Sequence, residues 1–168
     1  MIEINDYSGR RGVLVAMLPK IHAIMKDNAG RDKFGLTKQP EHLVTWQQKT
    51  RQTITDIRRR LIVAQDGEMI AGILFYLCDG GKVFIEDVQV AWAYRNNPTV
   101  IDGFIRRLEC DPGSKDAVFF ASERIKTDAN TEILASKGFK KTYENGMEEL
   151  GTLSQACQAL KIRYSRGV

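Results

Sequence analysis

Alternating polar and hydrophobic positions, together with short apolar runs, predict that much of the chain forms β-strands. The predicted strands are residues 2–6, 60–67, 68–78, 82–92 and 117–122, with two further strands within residues 140–144 and 147–150. The two strands that meet at Asp66–Gly67 have the spacing of an antiparallel hairpin. A second turn leads into the next strand, so a three-stranded meander is expected. The apolar run at residues 117–122 is typical of a strand that is buried on both faces.

Apolar residues recur at helical spacing between these strands. The predicted helices are residues 12–27, 40–60, 98–109 and 127–139, and a final helix that follows Thr152 as its cap. Pro19 is expected to kink the first helix, Pro40 suits a first helical turn, and Gly138 is a typical C-terminal glycine. The order of these elements predicts one α+β domain, in which helices cover both faces of a mixed, mostly antiparallel sheet.

The composition narrows the class of protein. The 168 residues suit one compact domain, and no apolar run approaches the roughly 20 residues that a membrane-spanning helix needs. The N-terminal segment lacks the apolar core of a signal peptide, so a cytoplasmic protein without membrane contact is expected. Scattered cysteines and only two histidines, His22 and His42, predict no metal site. The net charge of +4 is mild and the basic clusters lack interleaved aromatic residues, so nucleic-acid binding is not favoured.

The segment VQVAWAYRNNPTVIDGFIRRL, residues 88–108, has the order of an anion-binding strand, loop and helix. Unpaired N–H groups and the helix dipole favour an anion at a helix N-terminus. Asn97 is a good helix cap and Pro98 a good first helical residue, so the helix is expected to begin there. The loop has no glycine, although glycine lets a phosphate approach the backbone closely. The segment therefore predicts the frame of an anion site with unusual loop residues.

The whole order of elements resembles the GNAT superfamily of acyl-CoA-dependent N-acyltransferases. Three pieces carry the resemblance: the hairpin LIVAQDGEMIAGILFYL, the strand and loop FIEDVQVAWAYR with the helix after it, and the segment ILASKGFKK. The resemblance covers about residues 1–150 and implies the GNAT fold. We expect a single GNAT-like domain of residues 1–168, in which residues 151–168 are a C-terminal extension.

The resemblance implies acetyl-CoA, and thus coenzyme A, as the cofactor. The family's loop runs R-x-x-G-x-G or Q-x-x-G-x-A and holds the pyrophosphate with backbone N–H groups. Arg95 matches the first position, whereas Pro98 and Val100 replace the two glycines. Pro98 lacks an N–H donor, and Arg95 is expected to offset part of this loss by binding a phosphate directly. The cofactor-binding residues implied in this way are Val88, Gln89 and Val90 for the pantetheine arm, and Arg95, Asn96, Asn97, Pro98, Thr99 and Val100 for the pyrophosphate.

The resemblance also suggests a general base, but it supplies no general acid. Glu86 falls where polyamine-type members carry a glutamate base, and Asp87 is expected to point to the opposite face of the strand. An ordinary ion pair is the alternative role for Glu86. The family's proton-donating tyrosine would fall at Leu134, which cannot donate a proton, and its asparagine would fall at Thr127. The tyrosines left open as the acid are Tyr76, Tyr94 and Tyr143, and the residues considered for the acceptor pocket, for which packing is the favoured interpretation, are Phe34, His42 and Trp46.

Two functions remain open on the sequence. The first is an N-acetyltransferase whose acceptor is a small-molecule amine, an amino acid, a protein N-terminus or a lysine. The alternative is a catalytically inactive GNAT-like binding or structural protein, such as a phage-encoded or regulatory one. The retained Arg95, Asn97 and Glu86 favour the enzyme, whereas the changes at Pro98, Val100 and Leu134 favour the alternative. A homodimer is compatible with either function.

Overall fold

The computed structural model describes residues 1–31, 40–53, 56–122, 143–144 and 146–164 of the chain. The described strands are β1 (Ile2–Asp6), β2 (Arg59–Asp66), β3 (Met69–Asp79), β4 (Lys82–Val90), β5 (Val118–Ser122), β6 (Tyr143–Glu144) and β7 (Met147–Gly151). The described helices are α1 (Arg11–Arg31), α2 (Pro40–Thr53), α3 (Pro98–Cys110) and α4 (Leu153–Tyr164), with short 3₁₀ turns at Trp92–Tyr94 and Pro112–Ser114.

The seven described strands form one mixed sheet in the order β1-β2-β3-β4-β5-β7-β6. Neighbouring strands run antiparallel except β4 and β5, which run parallel. The predicted hairpin is present: Asp66 pairs with Met69, and Gly67 takes the left-handed conformation, with φ of +60°, that glycine adopts without strain. The predicted mixed, mostly antiparallel sheet is therefore confirmed.

Helices cover both faces of the sheet, and each face has its own apolar cluster. The cluster under α1 contains Leu14, Met17, Ile21, Met25, Leu61, Val63, Ile70, Ile73 and Phe75. The cluster under α3 and α4 includes Ile62, Ala64, Leu74, Ile85, Val88, Val90, Val100, Phe104, Leu108, Ala156 and Leu160. Successive strand residues point to opposite faces, so β2 supplies alternate residues to the two clusters. These two sides are called the α1 face and the α3–α4 face.

Helix α3 begins where the sequence predicts, because local signals determine its start. The Asn97 side chain accepts a hydrogen bond from the Thr99 N–H at 3.0 Å, and Pro98 occupies the first turn. The predicted apolar stripe, which includes Val100 and Phe104, is buried against the sheet. The positive end of the α3 dipole therefore lies at the loop that follows β4.

The predicted end of the second helix is wrong. The pattern predicts a helix to residue 60, but α2 ends at Thr53 and β2 already begins at Arg59. A turn at Asp56 explains the difference, because its carboxylate accepts from the Arg58 N–H and its carbonyl from the Arg59 N–H, both at 3.0 Å. Such an Asp-centred turn offers the backbone an alternative to the helix. The strand predicted to residue 92 likewise ends earlier, at the last residue of β4.

Helices α1 and α4 are the first and the last of the described helices. Helix α1 is longer than predicted and runs through Pro19 as one element. Helix α4 begins with reciprocal bonds, from the Thr152 N–H to Gln155 Oε1 at 2.8 Å and from the Gln155 N–H to Thr152 Oγ1 at 3.4 Å. This is a capping box, and it confirms the predicted role of Thr152. The division of the domain at residue 151 stays a prediction.

Some predictions lie outside the described residues. They concern the helix at residues 127–139, with Thr127, Leu134 and Gly138. Among the described helices, none combines the length and the apolar character that crossing a membrane requires.

Candidate functional site

Among the described residues, the edge of β4 that faces β5 has no paired strand beyond Ile85. β4 pairs with β5 only from Lys82 to Ile85, opposite Val118–Ala121, whereas β4 itself continues to Val90. In the part of the chain that the structure describes, no strand pairs with residues 86–90 on this side. This segment, called the open edge, leads directly into the loop and the N-terminus of α3.

The hydrogen-bond pattern shows which backbone groups point to the open edge. The Ala91 N–H donates to the Ala71 carbonyl of β3 at 2.9 Å. Alternate residues of an antiparallel strand face the partner strand, so Gln89 also turns its N–H and C=O towards β3. Val88 and Val90 consequently turn theirs to the open edge. A ligand that lies along this edge can therefore bind their backbone groups.

Side chains from distant elements already bind both of these carbonyls. The Tyr164 hydroxyl, at the end of α4, donates to the Val88 carbonyl at 3.0 Å. The Asn28 Nδ2, in α1, donates to the Val90 carbonyl at 3.0 Å. The two N–H groups of the open edge have no such partner among the described residues. The open edge thus offers donors more readily than acceptors.

A β-bulge in β4 interrupts the alternation of its side chains. Phe75 pairs with Asp87 and the next residue, Tyr76, pairs with Ile85, so Glu86 is the extra residue of the bulge. The prediction that Glu86 and Asp87 point to opposite faces is wrong for this reason. Both carboxylates have their contacts on the α1 face of the sheet.

Glu86, the predicted general base, is held in place by Arg59. The Arg59 Nη2 lies 2.7 Å from Glu86 Oε1, and its Nε lies 3.1 Å from Oε2. The two side chains are 11% and 15% exposed, so the pair is mostly buried. The Arg59 guanidinium also lies 5.8 Å from the centre of the Phe75 ring, on the α1 face. The ion pair that the sequence left open for Glu86 is therefore present, and it fixes the carboxylate at the bulge.

A chain of side-chain hydrogen bonds lies beside the bulge on the α1 face. The Asn28 Nδ2 donates to Gln89 Oε1 at 3.0 Å, and the Gln89 Nε2 donates to Asp87 Oδ1 at 2.9 Å. Asn28 is 4% exposed and Asp87 is 5% exposed, so both ends of this chain are buried. These three residues are called the Asn28–Gln89–Asp87 network. It joins α1 to the strand that carries the predicted base.

The N–H groups of the predicted pyrophosphate loop mostly bond within the loop itself. The Thr99 N–H donates to the Asn97 side chain, and Pro98 has no N–H. The remaining internal bonds run from the Arg95 N–H to the Trp92 carbonyl at 3.3 Å, from the Asn97 N–H to the Tyr94 carbonyl at 2.9 Å, and from the Val100 N–H to the Asn97 carbonyl at 3.4 Å. Among the described contacts of this loop, no hydrogen bond within the loop involves the Asn96 N–H. The loop is therefore a closed turn rather than a cradle of free donors.

Cationic side chains surround this loop. The Arg95 guanidinium lies 4.7 Å from the centre of the Trp92 ring, and the Arg31 guanidinium lies 5.4 Å from the same ring. Tyr94 ties the loop to β2, because its hydroxyl donates to Asp66 Oδ2 at 3.2 Å. Partial burial and the Asp66 carboxylate raise the pKa of Tyr94. Two guanidinium groups therefore pack around Trp92 in the loop that leads to α3.

The tyrosines considered as the general acid have other partners or are not described. Tyr76 is 1% exposed and donates to Asp111 Oδ2 at 2.6 Å, so burial and this carboxylate raise its pKa well above the usual range. The Tyr94 hydroxyl donates to the Asp66 carboxylate. The side chains that lie outside the described part of the structure are Tyr143, Phe34, His42 and Trp46. Tyr164, which the sequence did not single out, reaches the open edge.

The described residues hold no cluster for a metal ion, since no group of three or more histidine, cysteine or acidic side chains lies together among them. The site combines backbone donors on the open edge, two guanidinium groups around Trp92 in the loop before α3, and two mostly buried carboxylates on the α1 face. Such a set can bind an anionic, extended ligand along the edge.

Several solved structures with a similar fold are described as acetyltransferases. A PaiA N-acetyltransferase from Thermoplasma acidophilum in complex with coenzyme A is 10% identical, with a TM-score of 0.58 over 89% of this chain and 96% of that chain. An acetyltransferase of the GNAT family from Desulfovibrio desulfuricans is 10% identical, with a TM-score of 0.56 over 85% and 87%. A spermidine N-acetyltransferase chimera from Vibrio cholerae and hSSAT is 11% identical, with a TM-score of 0.53 over 87% of this chain and 90% of that chain. No family model and no curated protein matches the sequence.

The chain therefore has the GNAT acetyltransferase fold, and the predicted fold class is confirmed. Its sequence has diverged far from those of these structures. The comparisons describe the fold and leave the roles of individual residues as predictions.

Three residues of the site escaped the sequence analysis. Arg59 and Tyr164 come from elements far along the chain, and no local pattern connects them to β4. Asn28 did carry a signal, because it continues the buried stripe of Ile21 and Met25 at helical spacing. A polar residue on an apolar stripe is unusual, since burial without hydrogen bonds is costly.

Proposed function

We propose that the chain is an N-acetyltransferase, which transfers an acetyl group from acetyl-CoA to an amine. The observation that carries this proposal is the open edge, which begins at the bulge of Glu86 and ends at the N-terminus of α3. An extended amide-containing ligand can add to such an edge as a strand would, through main-chain hydrogen bonds. The pantetheine arm of coenzyme A is such a ligand.

The residues around the open edge fit coenzyme A in part. The N–H groups of Val88 and Val90 are proposed to bind the pantetheine arm, and Arg95 to bind the pyrophosphate with the Asn96 N–H. The positive end of α3 favours a phosphate at the same place. The rest of the predicted pyrophosphate site, residues 97–100, contributes the start of α3 rather than free amides.

The proposed chemistry is direct acyl transfer. When bound, acetyl-CoA supplies an acetyl group that is activated as a thioester. The amine nitrogen attacks the acetyl carbon, the carbon–sulfur bond breaks, the nitrogen loses a proton, and the leaving sulfur gains one. Glu86 is proposed to accept the amine proton through a water molecule, because both of its oxygens already accept a bond from Arg59. Each carboxylate oxygen retains a further lone pair for this water.

The acceptor is proposed to be a small-molecule amine, with a protein N-terminus or a lysine side chain as further candidates. Glu86, the proposed base for such an amine, lies at the bulge where the open edge begins. The spermidine N-acetyltransferase among the similar structures agrees with an acceptor of this kind.

A second candidate is a GNAT-like protein without catalysis. Two observations favour it: the loop N–H groups bond internally, and the Tyr164 hydroxyl already binds the Val88 carbonyl. Both contacts would compete with a bound cofactor. This candidate predicts that the protein neither binds acetyl-CoA nor releases coenzyme A from it.

The test is a steady-state assay of thiol release from acetyl-CoA with a panel of primary amines, including spermidine. We expect amine-dependent release by the wild-type protein, and a loss of about a hundredfold or more in Glu86→Gln, which removes a general base. The matched control is Glu3→Gln, which removes an exposed carboxylate from β1, an edge strand that β2 and β3 separate from β4. No thiol release with any amine would favour the second candidate, and equal rates for wild type and Glu86→Gln would exclude Glu86 as the base.

A further inference from the structure

A groove lies between the first strand of the sheet and helix α3. Its volume is about 320 Å³, near the lower end of the roughly 300–1,000 Å³ that ligand pockets span. Ile2 and Ile4 line it from β1, Gly103 lines it from α3, and Thr99 and Cys110 lie at its two ends along the helix. Since β2 and β3 lie between β1 and β4, the groove is separate from the open edge.

The strand beside this groove has a free edge. β1 is the first strand in the sheet order, and among the described residues no strand pairs with its outer side. The Tyr7 N–H donates to the Leu61 carbonyl at 2.9 Å, and alternate residues of an antiparallel strand face the same neighbour. Ile2, Ile4 and Asp6 therefore turn their N–H and C=O groups outwards. The strand, IEIND, has no lysine or proline, which often protect edge strands from pairing.

One extended ligand can use the groove and the free edge together, because α3 lies close above β1. A Cβ on Gly103 would lie 2.5 Å from the Ile4 side chain, so the absence of a side chain lets α3 approach β1 closely. Ile2 and Ile4 pack against the cluster of the α3–α4 face but are only partly buried. A chain that extends along β1 therefore directs alternate side chains towards the groove.

Two arginines give the groove a positive charge. Arg106 and Arg107 line it from α3, and both are exposed. The Arg107 Nη2 donates to the Ile4 carbonyl at 3.0 Å, so one guanidinium already lies against the free edge. The Glu3 side chain points to the opposite face of β1, because neighbours on a strand alternate. The groove thus combines apolar surface with guanidinium groups, which bind carboxylates well.

We propose that the groove and the free edge of β1 bind an extended acidic segment of a partner protein, which adds to the sheet as an antiparallel strand. The outward main-chain groups of β1 bond to the segment, an apolar side chain fills the groove, and a carboxylate binds Arg106. The Ile4 carbonyl can take part because it has a second lone pair besides the one that Arg107 uses. This interaction goes beyond acyl transfer and does not depend on it.

A second copy of this chain fits the free edge less well than an acidic segment does. Two copies that paired through β1 would form an isologous contact, so their two grooves would lie side by side. Arg106 and Arg107 of both copies would then lie close together, and like charges repel each other. An acidic segment instead brings carboxylates to these guanidinium groups. Charge complementarity therefore selects the acidic partner.

The test is a fluorescence anisotropy titration of a labelled peptide with the sequence ETVTE, which is as long as β1. When this peptide is extended, its two glutamates and its valine share one face. We expect it to bind the wild-type protein, and to bind Arg106→Gln at least about tenfold more weakly because a charge-assisted contact is lost. Arg51→Gln, which changes an exposed arginine of α2, is the matched control and should bind as wild type does. The cationic counterpart KTVTK should not bind measurably.

Methylated peptides test the strand addition itself. Residues that lie directly opposite each other in an antiparallel pair share a face, so the valine that fills the groove also turns its N–H to β1. N-methylation of this valine removes the N–H and crowds the pairing edge, and binding should be lost. N-methylation of the first threonine, whose N–H points away from β1, should leave the affinity unchanged.

Four results would overturn the proposal. They are absence of ETVTE binding, equal affinities for ETVTE and KTVTK, equal affinities of wild type and Arg106→Gln for ETVTE, and equal affinities for the two methylated peptides. A protein that is dimeric in analytical ultracentrifugation and does not bind ETVTE would assign the free edge to a second copy of the chain instead.

Discussion

The buried pair between Arg59 and Glu86 should be one of the most sensitive points of the site. Glu86→Gln leaves the Arg59 guanidinium with one neutral acceptor where it had a carboxylate. Removing one partner of a fully buried pair costs about 3–5 kcal/mol. The two side chains retain 11% and 15% exposure, so we expect a loss of about 2–3 kcal/mol in the free energy of unfolding. Urea denaturation of wild type and variant measures this loss.

An exposed ion pair of the same chain is the control. Asp27 and Arg31 lie 2.9 Å apart on α1, with side chains that are 49% and 51% exposed. Asp27→Asn should cost less than about 1 kcal/mol, as is usual for exposed pairs. Glu86→Gln should therefore lower the free energy of unfolding by more than Asp27→Asn does. Equal losses in the two variants would refute the argument that a buried charge depends more strongly on its partner than an exposed one.

The same pair separates a structural role of Glu86 from a catalytic one. Arg59→Gln removes the partner but keeps the proposed base, so it should lower stability by a similar amount while retaining measurable amine-dependent turnover. Glu86→Gln should lose both stability and turnover. Equal loss of turnover in the two variants, measured well below their unfolding midpoints, would mean that the pair supports the fold and that Glu86 is not the base.

Three further predictions concern other contacts. Tyr164→Phe should bind coenzyme A up to about tenfold more tightly in a calorimetric titration, because the Val88 carbonyl loses a competing donor worth about 1 kcal/mol; weaker binding would contradict this. Gly103→Ala should lower the free energy of unfolding in urea by about 1–3 kcal/mol, since its Cβ would lie 2.5 Å from the Ile4 side chain. Burial raises the pKa of Cys157 to about 11, so its alkylation by iodoacetamide should rise about tenfold per pH unit from pH 8 to 10; a plateau near pH 9 would be inconsistent with this.

Local signals account for what the sequence predicted correctly. The start of α3 depends on Asn97 and Pro98, which act on their own backbone, and the β2–β3 hairpin depends on Gly67. The end of α2 was missed because Asp56 closes a turn in a segment whose apolar spacing still fits a helix. Thr152 was predicted as a cap because its hydrogen bonds run within one helical turn, and the structure adds the reciprocal bond from Gln155.

The site itself depends on relations that the sequence does not display. The bulge at Glu86 arises from the register between β4 and β3, so strict alternation misplaced Asp87. The ion pair with Arg59 joins residues that are 27 positions apart, and the contact of Tyr164 with β4 spans 76 positions. In the loop, the sequence predicted the loss of one N–H donor, because Pro98 replaces a glycine. The structure adds that most of the other N–H groups of the loop bond within the loop.

The central claim is that acetyl-CoA binds along the open edge and at the N-terminus of α3. The most direct test is a calorimetric titration of acetyl-CoA into the wild-type protein, into Arg95→Ala, and into Arg11→Ala as a control with an exposed arginine at the start of α1. We expect one binding site with micromolar affinity, weakened about tenfold or more in Arg95→Ala, which loses a charge-assisted contact to phosphate, and unchanged in Arg11→Ala. Absence of binding up to millimolar acetyl-CoA would contradict the account and would mean that this fold serves a different ligand.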